Sequence, residues 1–384
     1  MITRPYAASR RLLTLTDKLF EVNWGLMLLI GIIAGIGFAM LYSVAGASFS
    51  PWAGKQMAYF AVGLVLLIAA ALADVRFWLG IAYPAYAVSL LLLVVVLFAG
   101  HSALGAQRWI SVGPIEIQPS ELMKIALILA LARFLHGLSV EDVSKPLRLL
   151  IPFVMIAIPA FLVLKQPNLG TTIILVADGI SLLFLAGLSW WWIGPAIGAV
   201  ATAVPLAWQF FLHDYQKQRV MTFLNPASDA LGAGWNITQA KIAIGSGGLT
   251  GKGFLQGSQS RLNFLPEKHS DFIVTNYAEE FGFVGSIALL LLFAVVIGYG
   301  VQIAMSARSQ FGRLVAMGLT LNFFFYILIN GAMVMGLIPV VGIPMPLLSY
   351  GGTAMLSVMF GFGILMSVHV HRQVEIPRHS GGII

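Results

Sequence analysis

Residues 23–45 read NWGLMLLIGIIAGIGFAMLYSVA, an apolar run that contains no charged side chain. An α-helix needs about 20 such residues to cross the hydrocarbon core of a bilayer. Backbone polar groups in lipid must find partners within the chain, so a run of this kind predicts a helix and not an open sheet. Comparable runs lie at about 55–73, 76–100, 119–138, 147–165, 170–187, 190–212, 272–305, 311–337 and 345–369. The sequence therefore predicts an all-α polytopic membrane protein with about ten transmembrane helices.

The composition argues against several other classes of protein. Hydrophobic residues make up 59% of the 384 residues and charged residues only 10%, whereas about 25% of the residues in a soluble globular domain are charged. The chain has no cysteine, which excludes disulfides, thiolate catalysis and cysteine-ligated metals. A net charge of +7 would suggest a nucleic-acid partner for a soluble protein. Here membrane topology explains most of that charge, and no nucleic-acid partner is expected.

The positions of arginine and lysine predict the orientation, because basic residues near helix ends stay on the cytoplasmic side. If the N terminus is inside, the basic residues of the cytoplasmic segments are Arg4, Arg10, Arg11, Lys18, Arg76, Arg133, Lys145, Arg148, Arg308, Arg313, Arg372 and Arg378. Those of the short outer loops are only Lys55, Arg108 and Lys165. Both termini are therefore expected in the cytoplasm, with a long extracytoplasmic loop at 213–271 between helices 7 and 8. We expect one membrane domain over 1–384, with a membrane core at 22–372 and a short cytoplasmic tail at 373–384.

The predicted outer loop is rich in turn residues, with a short amphipathic helix expected around Trp235–Ile244. The segment GSGGLTGKG at 245–253 looks like a phosphate loop but has Ser246 and Gly253 where that motif requires glycine and a hydroxyl residue. A nucleotide site is therefore not expected. Contact between its backbone amides and lipid-linked phosphates is left open.

Residues 256–282, QGSQSRLNFLPEKHSDFIVTNYAEEFG, form the most densely charged segment of the chain. Its position beside an apolar run predicts a polar site at a membrane surface. Asp271 falls in the expected first turn of the eighth transmembrane helix, where an acid complements the helix dipole. The helix dipole alone is a structural explanation for an acid at this position, without any role in chemistry. It also keeps the carboxylate anionic, which suits a metal ligand or an electrostatic stabiliser at least as well as a strong general base.

Three further charged residues lie within apolar runs. Glu121 and Lys124 are three residues apart in SELMKIAL, so they share one helix face. They form either a local ion pair or part of a polar cavity that reaches the outer surface. Asp178 stands alone in the sixth run, and an acid within a membrane is a functional hypothesis by default. A transporter would use such an acid, and a protonated aspartate bonded to a neighbouring helix is the structural alternative.

Four separated motifs resemble those of the SEDS family (shape, elongation, division and sporulation), most closely its RodA elongation branch. They are QPSELMK at 118–124, QPNLGT at 166–171, FLPEKHSDF at 264–272 and PMPLLSYGGT at 344–353. The resemblance implies a peptidoglycan glycosyltransferase that polymerises lipid II into glycan strands during cell elongation and rod-shape maintenance, with release of undecaprenyl diphosphate. It implies a multi-pass protein of the bacterial inner membrane whose active site faces the extracytoplasmic side.

The resemblance also implies roles for single residues and partners. The essential acid of the family corresponds to Asp271, which is the catalytic candidate and, through a divalent cation such as Mg²⁺ or Mn²⁺, a candidate metal ligand. No other cofactor is expected. Candidates for substrate binding or support are Arg108, Gln118, Ser120, Glu121, Lys124, Gln166, Asn168, Arg219, Gln259, Ser260, Arg261, Lys268, His269, Ser349, Gly351 and Thr353. The implied partners are lipid II, the growing glycan strand, a class B penicillin-binding protein and the scaffold proteins of the rod complex.

Two other functions are compatible with the same residues. A flippase or transporter of lipid-linked cell-wall precursor would use the membrane-embedded charges Glu121, Lys124 and Asp178. A scaffold that organises other enzymes would use none of them. Substitution of Asp271 separates a polymerase from both alternatives.

Overall fold

The computed structural model describes residues 14–103, 106–112, 115–211, 214–225, 233–261 and 267–377. The chain is mostly helical. In order, its α-helices are α1 (Leu15–Phe20), α2 (Trp24–Val44), α3 (Ala53–Leu72), α4 (Val75–Ala99), α5 (Pro119–His136), α6 (Val140–Val143), α7 (Pro146–Lys165), α8 (Leu169–Leu185), α9 (Ile193–Leu206), α10 (Asp214–Leu224), α11 (Ala233–Ser246), α12 (Ser258–Arg261), α13 (Ile273–Ser306), α14 (Gln310–Val334) and α15 (Gly352–Val370).

Seven helices within the described residues are long and apolar enough to cross a membrane, namely α2, α3, α4, α7, α13, α14 and α15. The predicted class, an all-α polytopic membrane protein, is confirmed. The other three expected spans correspond to α5, α8 and α9. Helix α8 is apolar but has only 17 residues, α9 has 14 and continues into a π-helical turn at Ala207–Phe211, and α5 carries three charged side chains. The total of ten spans and the orientation stay predictions.

Helix α5 lies at the centre of the bundle. It contacts α4, α7, α8, α14 and α15, and nearly all of its side chains are buried. Because it is enclosed by other helices and not by lipid, it can carry Glu121 and Lys124 where a lipid-facing helix could not. The central position of α5 therefore places the Glu121–Lys124 pair inside the protein.

A small three-stranded antiparallel sheet was not expected from the sequence. Its strands are β1 (His101–Ala103), β2 (Ala106–Val112) and β3 (Ile115–Ile117), in the order β1-β2-β3. It connects α4 to α5, where the sequence suggested only an outer loop. The short helix expected around Trp235–Ile244 is confirmed as α11. The last long helix begins at Gly352 and not at 345, because Pro344 and Pro346 disfavour a helix that runs through them and Leu347 has a φ of 67°.

Helix α13 is broken at Gly282, whose φ is 67° and ψ −161°. The break brings the glycine-rich segment 248–253 against the helix. Lys252 N donates to Glu279 O and Gly253 N to Glu280 O, both at 3.0 Å, and Phe283 N donates back to Gly248 O at 2.9 Å. Two amides of the segment are thus engaged with the helix. The segment therefore docks on α13, and contact between its other backbone amides and lipid-linked phosphate stays a prediction.

Candidate functional site

Asp271 lies in a turn just before α13. The helix begins at Ile273 and its N-cap residue is Phe272, so the expectation that Asp271 lies in the first helical turn is wrong by two residues. The difference arises because residues 267–272 form their own turn, in which Phe272 N donates to Glu267 O at 3.3 Å. The carboxylate of Asp271 is therefore positioned by the turn and its neighbours more than by the helix dipole.

The backbone of Asp271 is held by a buried asparagine of α14. Asn330 is 0% exposed, and its Nδ2 donates to Asp271 O at 2.9 Å and to Ile343 O at 2.6 Å. The side chain of Asp271 faces Gly342, where a Cβ would lie 3.4 Å from Asp271 Oδ2. Since Gly342 has a φ of 70°, a larger residue there would be strained as well as close to the carboxylate. The side-chain amide of Asn330 thus joins the backbone of Asp271 to the segment at 342–343, which faces the Asp271 carboxylate.

The other carbonyl groups of the turn accept hydrogen bonds from three more positions. Each donor is a buried or half-buried group from α13 or from the segment before α15: Asn276 Nδ2 to Lys268 O at 2.9 Å, Tyr350 N to His269 O at 2.9 Å and Ser349 Oγ to Ser270 O at 2.6 Å. Four consecutive carbonyls are therefore satisfied from outside the turn. A turn anchored in this way holds its side chains in a fixed geometry, which is the requirement for a preorganised site.

The side chains of Lys268 and His269 lie beside Asp271 in the chain. The His269 ring stacks on Trp52, with 4.6 Å between the ring centroids and 9° between the planes. Burial is the main cause that lowers the pKa of His269, although Glu267 opposes it. Burial also lowers the pKa of Lys268. Because its ammonium has lost part of its hydration, Lys268 has more to gain from an anionic ligand than an exposed lysine.

Gln56 of α3 connects the predicted residues of the last motif to the bundle. Its Nε2 donates to Ser349 O at 2.8 Å, and its Oε1 accepts from Gly351 N at 3.1 Å. Thr353 Oγ1 donates to Glu116 O at 2.6 Å, which ties the start of α15 to β3. In this structure Ser349, Gly351 and Thr353 support the turn and its surroundings.

Glu121 and Lys124 form a buried cluster with Tyr326 of α14. Lys124 Nζ donates to Glu121 Oε1 at 2.7 Å, and Tyr326 OH donates to Glu121 Oε2 at 2.6 Å. Lys124 also contacts the Tyr326 hydroxyl, and its ammonium lies 4.1 Å from the centroid of the Tyr326 ring. Lys124 is 1% exposed. Tyr326 thus covers the Glu121–Lys124 pair and contacts both of its residues. A cavity of about 30 Å³ adjoins it, lined by Asn322, Ser357 and mostly apolar side chains.

Arg108 contacts the connection between α7 and α8, which carries Gln166 and Asn168. Arg108 Nε donates to Gln166 O at 3.1 Å, and its guanidinium also contacts Pro167 O. Gln166 Nε2 donates to Leu93 O at 3.0 Å. Asn168 Oδ1 caps α8 by accepting from Thr171 N. These contacts tie β2 and the α7–α8 connection together.

The remaining candidates fall on separate elements. Gln118 is the N-cap of α5, and Ser120 is buried in its first turn with no hydrogen-bond partner for Oγ among the described residues. Gln259 N contacts the Glu279 carboxylate at 3.3 Å. Arg219 lies on α10, and Ser260 and Arg261 lie on α12, but their side chains lie outside the part of the chain that the structure describes.

Five residues that position the site were not predicted. They are Gln56, Lys252, Asn276, Tyr326 and Asn330, which bind backbone carbonyls or the carboxylates of Glu121 and Glu279. Four of them are uncharged polar residues inside otherwise apolar helices. Buried polar groups need partners, so these amides and this hydroxyl were the signal available in the sequence.

The described residues contain no group of three or more histidine, aspartate or glutamate side chains that could hold a metal ion. The turn carries the carboxylates of Asp271 and Glu267, and that of Glu267 accepts from Ser270 Oγ at 2.8 Å, so Asp271 is the candidate ligand. Mg²⁺ is often held by one or two carboxylates together with substrate phosphates and water. One carboxylate fits a cation that arrives with a phosphorylated substrate, and not a permanently bound structural ion.

Comparison with known proteins identifies the family. A family model that covers FtsW, RodA and SpoVE, described as cell cycle protein, matches residues 18–374. The chain belongs to this family. The resemblance inferred from the four motifs is thereby confirmed. The resemblance to the RodA branch agrees with the similar proteins described next, which include a RodA structure.

Two relatives within the FtsW/RodA/SpoVE family are peptidoglycan glycosyltransferases named MrdB. The protein from Escherichia coli (strain K12) is 51% identical over 277 residues, which is 72% of this chain and 74% of the relative. The protein from Helicobacter pylori (strain ATCC 700392 / 26695) is 40% identical over 289 residues, 73% of each chain.

Two solved structures of the family share the fold. A chain of a peptidoglycan synthase complex has a TM-score of 0.80 and 31% identity, and the match covers 91% of this chain and 98% of that chain. The rod shape determining protein RodA of Thermus thermophilus has a TM-score of 0.69 and 28% identity, covering 91% and 97%. The helical arrangement around the Asp271 turn is therefore shared with a chain of a peptidoglycan synthase complex.

Proposed function

We propose that this protein is a peptidoglycan glycosyltransferase that polymerises lipid II into glycan strands during cell elongation. The family and the names of its relatives support the reaction class. The observation that carries the proposal is the turn at 267–272. It carries the Asp271 carboxylate and, three residues earlier in sequence, the partly desolvated Lys268, and its backbone is fixed by donors from other segments.

The chemistry of glycan polymerisation matches this pair of side chains. The 4-hydroxyl oxygen of one sugar forms a bond to the anomeric carbon of another, while the bond from that carbon to the diphosphate of the lipid carrier breaks. The hydroxyl proton passes to the Asp271 carboxylate, which acts as the general base. The diphosphate leaves with the bonding electrons, and the Lys268 ammonium stabilises the charge that develops on it. Because diphosphate is a stable anion, no second acid has to protonate the leaving group.

A divalent cation at Asp271 belongs to the same proposal. Asp271 and the phosphate oxygens of the substrate would hold it, and the cation would supply additional positive charge to the leaving group. We further propose that the active site faces the extracytoplasmic side of the bacterial inner membrane. The solved peptidoglycan synthase complex supports assembly with a class B penicillin-binding protein, and the rod-complex scaffold proteins are the further partners that we infer.

Substitution of Asp271 tests the proposal. The purified protein, with its penicillin-binding partner and labelled lipid II, is expected to make glycan chains that Asp271→Ala and Asp271→Asn abolish. Titration of Mg²⁺ and Mn²⁺ in the same assay tests the cation. The matched control is Glu267→Gln, an acid in the same turn whose carboxylate accepts from Ser270 Oγ at 2.8 Å, and it should stay active.

Normal polymerisation by both Asp271 variants would refute the proposal. Movement of labelled lipid II across liposome membranes without polymer would instead support a transporter. Thermal unfolding of each variant shows whether a loss of activity reflects the site or the fold.

A further inference from the structure

A small cavity lies between α5, α14 and α15, and the proposed reaction does not use it. Its volume is about 30 Å³. Its lining combines three polar residues, Asn322, Tyr326 and Ser357, with apolar side chains such as Phe323 and Phe362. Nearly all of the lining residues are buried. The molecule that occupies this cavity is therefore held inside the helix bundle.

Asn322 brings an unsatisfied hydrogen-bond acceptor to the cavity. The residue is 7% exposed, and its Oδ1 has no hydrogen-bond partner among the described residues. Buried polar atoms nearly always have a partner, because a buried acceptor without a donor loses the hydrogen bonds that it would make to water. The cavity therefore requires an occupant that can donate a hydrogen bond to Asn322 Oδ1.

Ser357 supplies a second acceptor at the edge of the buried ion pair. Its Oγ donates to Glu121 O at 3.2 Å, and a serine oxygen that donates one hydrogen bond still has lone pairs that can accept another. Tyr326 also lines the cavity, and its hydroxyl donates to Glu121 Oε2 at 2.6 Å. Two of the three polar lining residues are thus bonded to Glu121, the acid that is paired with Lys124.

The size of the cavity limits the identity of its occupant. One water molecule needs roughly 10–15 Å³ of cavity, so a volume of about 30 Å³ holds roughly two water molecules. Pockets for small-molecule ligands are about 300–1,000 Å³, so neither a sugar nor a lipid chain fits. Water can donate to both acceptors, whereas a hydrocarbon group can donate to neither.

We propose that this cavity is a binding site for about two ordered water molecules. One water donates to Asn322 Oδ1, the other donates to Ser357 Oγ, and the two waters are hydrogen bonded to each other. These waters extend the cluster of Glu121, Lys124 and Tyr326 further into the bundle. Their dipoles reduce the free-energy cost of burying the two charges of the ion pair. The water site does not depend on the proposed function.

Hydroxyl-radical footprinting with X-rays tests the site on the full-length protein in lipid nanodiscs, because radiolysis of a bound water labels the side chains that it touches. Phe323 and Phe362 line the cavity and are each 5% exposed. The controls are Phe293 and Phe311, which are 1% and 0% exposed and do not line it. We expect the two lining phenylalanines to be labelled at least about 10-fold faster than the controls, because ordered water lies against them. Equal labelling rates of all four would overturn the proposal.

Two variants test whether the polar side chains hold the water. Asn322→Leu removes one acceptor and fills part of the cavity, so labelling of Phe323 and Phe362 should fall to the rate of Phe311, whose own rate should not change. Ser357→Ala removes the other acceptor without adding volume, should lower the same labelling, and covers the case in which the leucine variant misfolds. Unchanged labelling of Phe323 and Phe362 in both variants would mean that the label comes from elsewhere and would overturn the proposal. None of these measurements requires lipid II polymerisation, so a failure of the proposed function leaves this test intact.

Discussion

Removal of the Glu279 carboxylate should release the segment 252–259, which docks on α13. Glu279 is 0% exposed, and its Oε1 accepts from Lys252 Nζ at 2.6 Å, Ser258 N at 2.9 Å and Ser258 Oγ at 2.8 Å. Hydrogen bonds to a charged group contribute roughly 1.5–3 kcal/mol each, and such contributions are not additive. Glu279→Ala removes these three bonds and the contact of Gln259 N with the carboxylate at 3.3 Å, so we expect the segment 252–259 to lose roughly 4 kcal/mol of local stability.

The expected loss corresponds to roughly a 1,000-fold faster exchange of the protected amides, since about 1.4 kcal/mol is a factor of ten in an equilibrium constant. Glu279→Gln keeps an acceptor oxygen but loses the charge, and charged hydrogen bonds are about twice as strong as neutral ones. Its effect should therefore be roughly half as large in free energy. Hydrogen–deuterium exchange at Ser258 and Gln259 measures both variants.

The control for this experiment is Glu141→Ala, which removes an exposed acid from α6 and should leave exchange at 252–259 unchanged. Equal exchange rates at Ser258 in Glu279→Ala and the wild type would refute the reasoning. Such a result would mean that the backbone hydrogen bonds between the segment 248–253 and α13, which include Val284 N to Leu249 O at 3.0 Å, hold the segment without the carboxylate.

Three further outcomes follow from the site. Asn330→Leu should lower polymerisation at least about 10-fold, because the carbonyls of Asp271 and Ile343 each lose a donor and an unpaired buried group costs about 1–3 kcal/mol. The control is Asn322→Leu, on the same helix and with an unbonded Oδ1, which should stay near wild-type activity. Equal activities of the two variants would contradict the positioning role of Asn330. Tyr326→Phe should reduce thermal stability by about 1–3 kcal/mol by leaving one Glu121 oxygen without a donor, and an unchanged melting temperature would count against the cluster. Because burial lowers the pKa of His269, the unfolded chain binds more protons than the folded one below pH ~6.5, so stability should fall as the pH drops from 6.5 to 5. This fall should be smaller in His269→Gln, as melting temperatures at both pH values would show, and identical falls would exclude His269 as the cause.

The long helices and the two charged sites could be predicted because their signals are local. A run such as 24–44 is apolar throughout, and its ends are set by the polar and turn residues around it. Asp271 and the Glu121–Lys124 pair stand out because charges are rare in this chain. These features depend on residues close in sequence, so one sequence is enough to find them.

The support of the site could not be predicted because its partners are distant in sequence. Asn330 donates to Asp271 across 59 positions, and Gln56 donates to Ser349 across 293. Nothing near Asn330 in sequence indicates which carbonyl it meets. The break at Gly282 was missed for a similar reason, since a single glycine within an apolar helix is common and only the docked segment 248–253 makes it a break.

The break in α13 also bears on the depth in the membrane that we expect for the proposed reaction. At 1.5 Å per residue, 34 helical residues would extend about 51 Å, far more than the ~30 Å hydrocarbon thickness of a bilayer. The segment from residue 283 to Ser306 extends about 36 Å by itself, which is already enough to cross the bilayer. We therefore expect the part before Gly282 to stand outside the hydrocarbon, with Asp271 at the height of the lipid headgroups. A substrate anchored by its tail would present its diphosphate at this height without leaving the membrane.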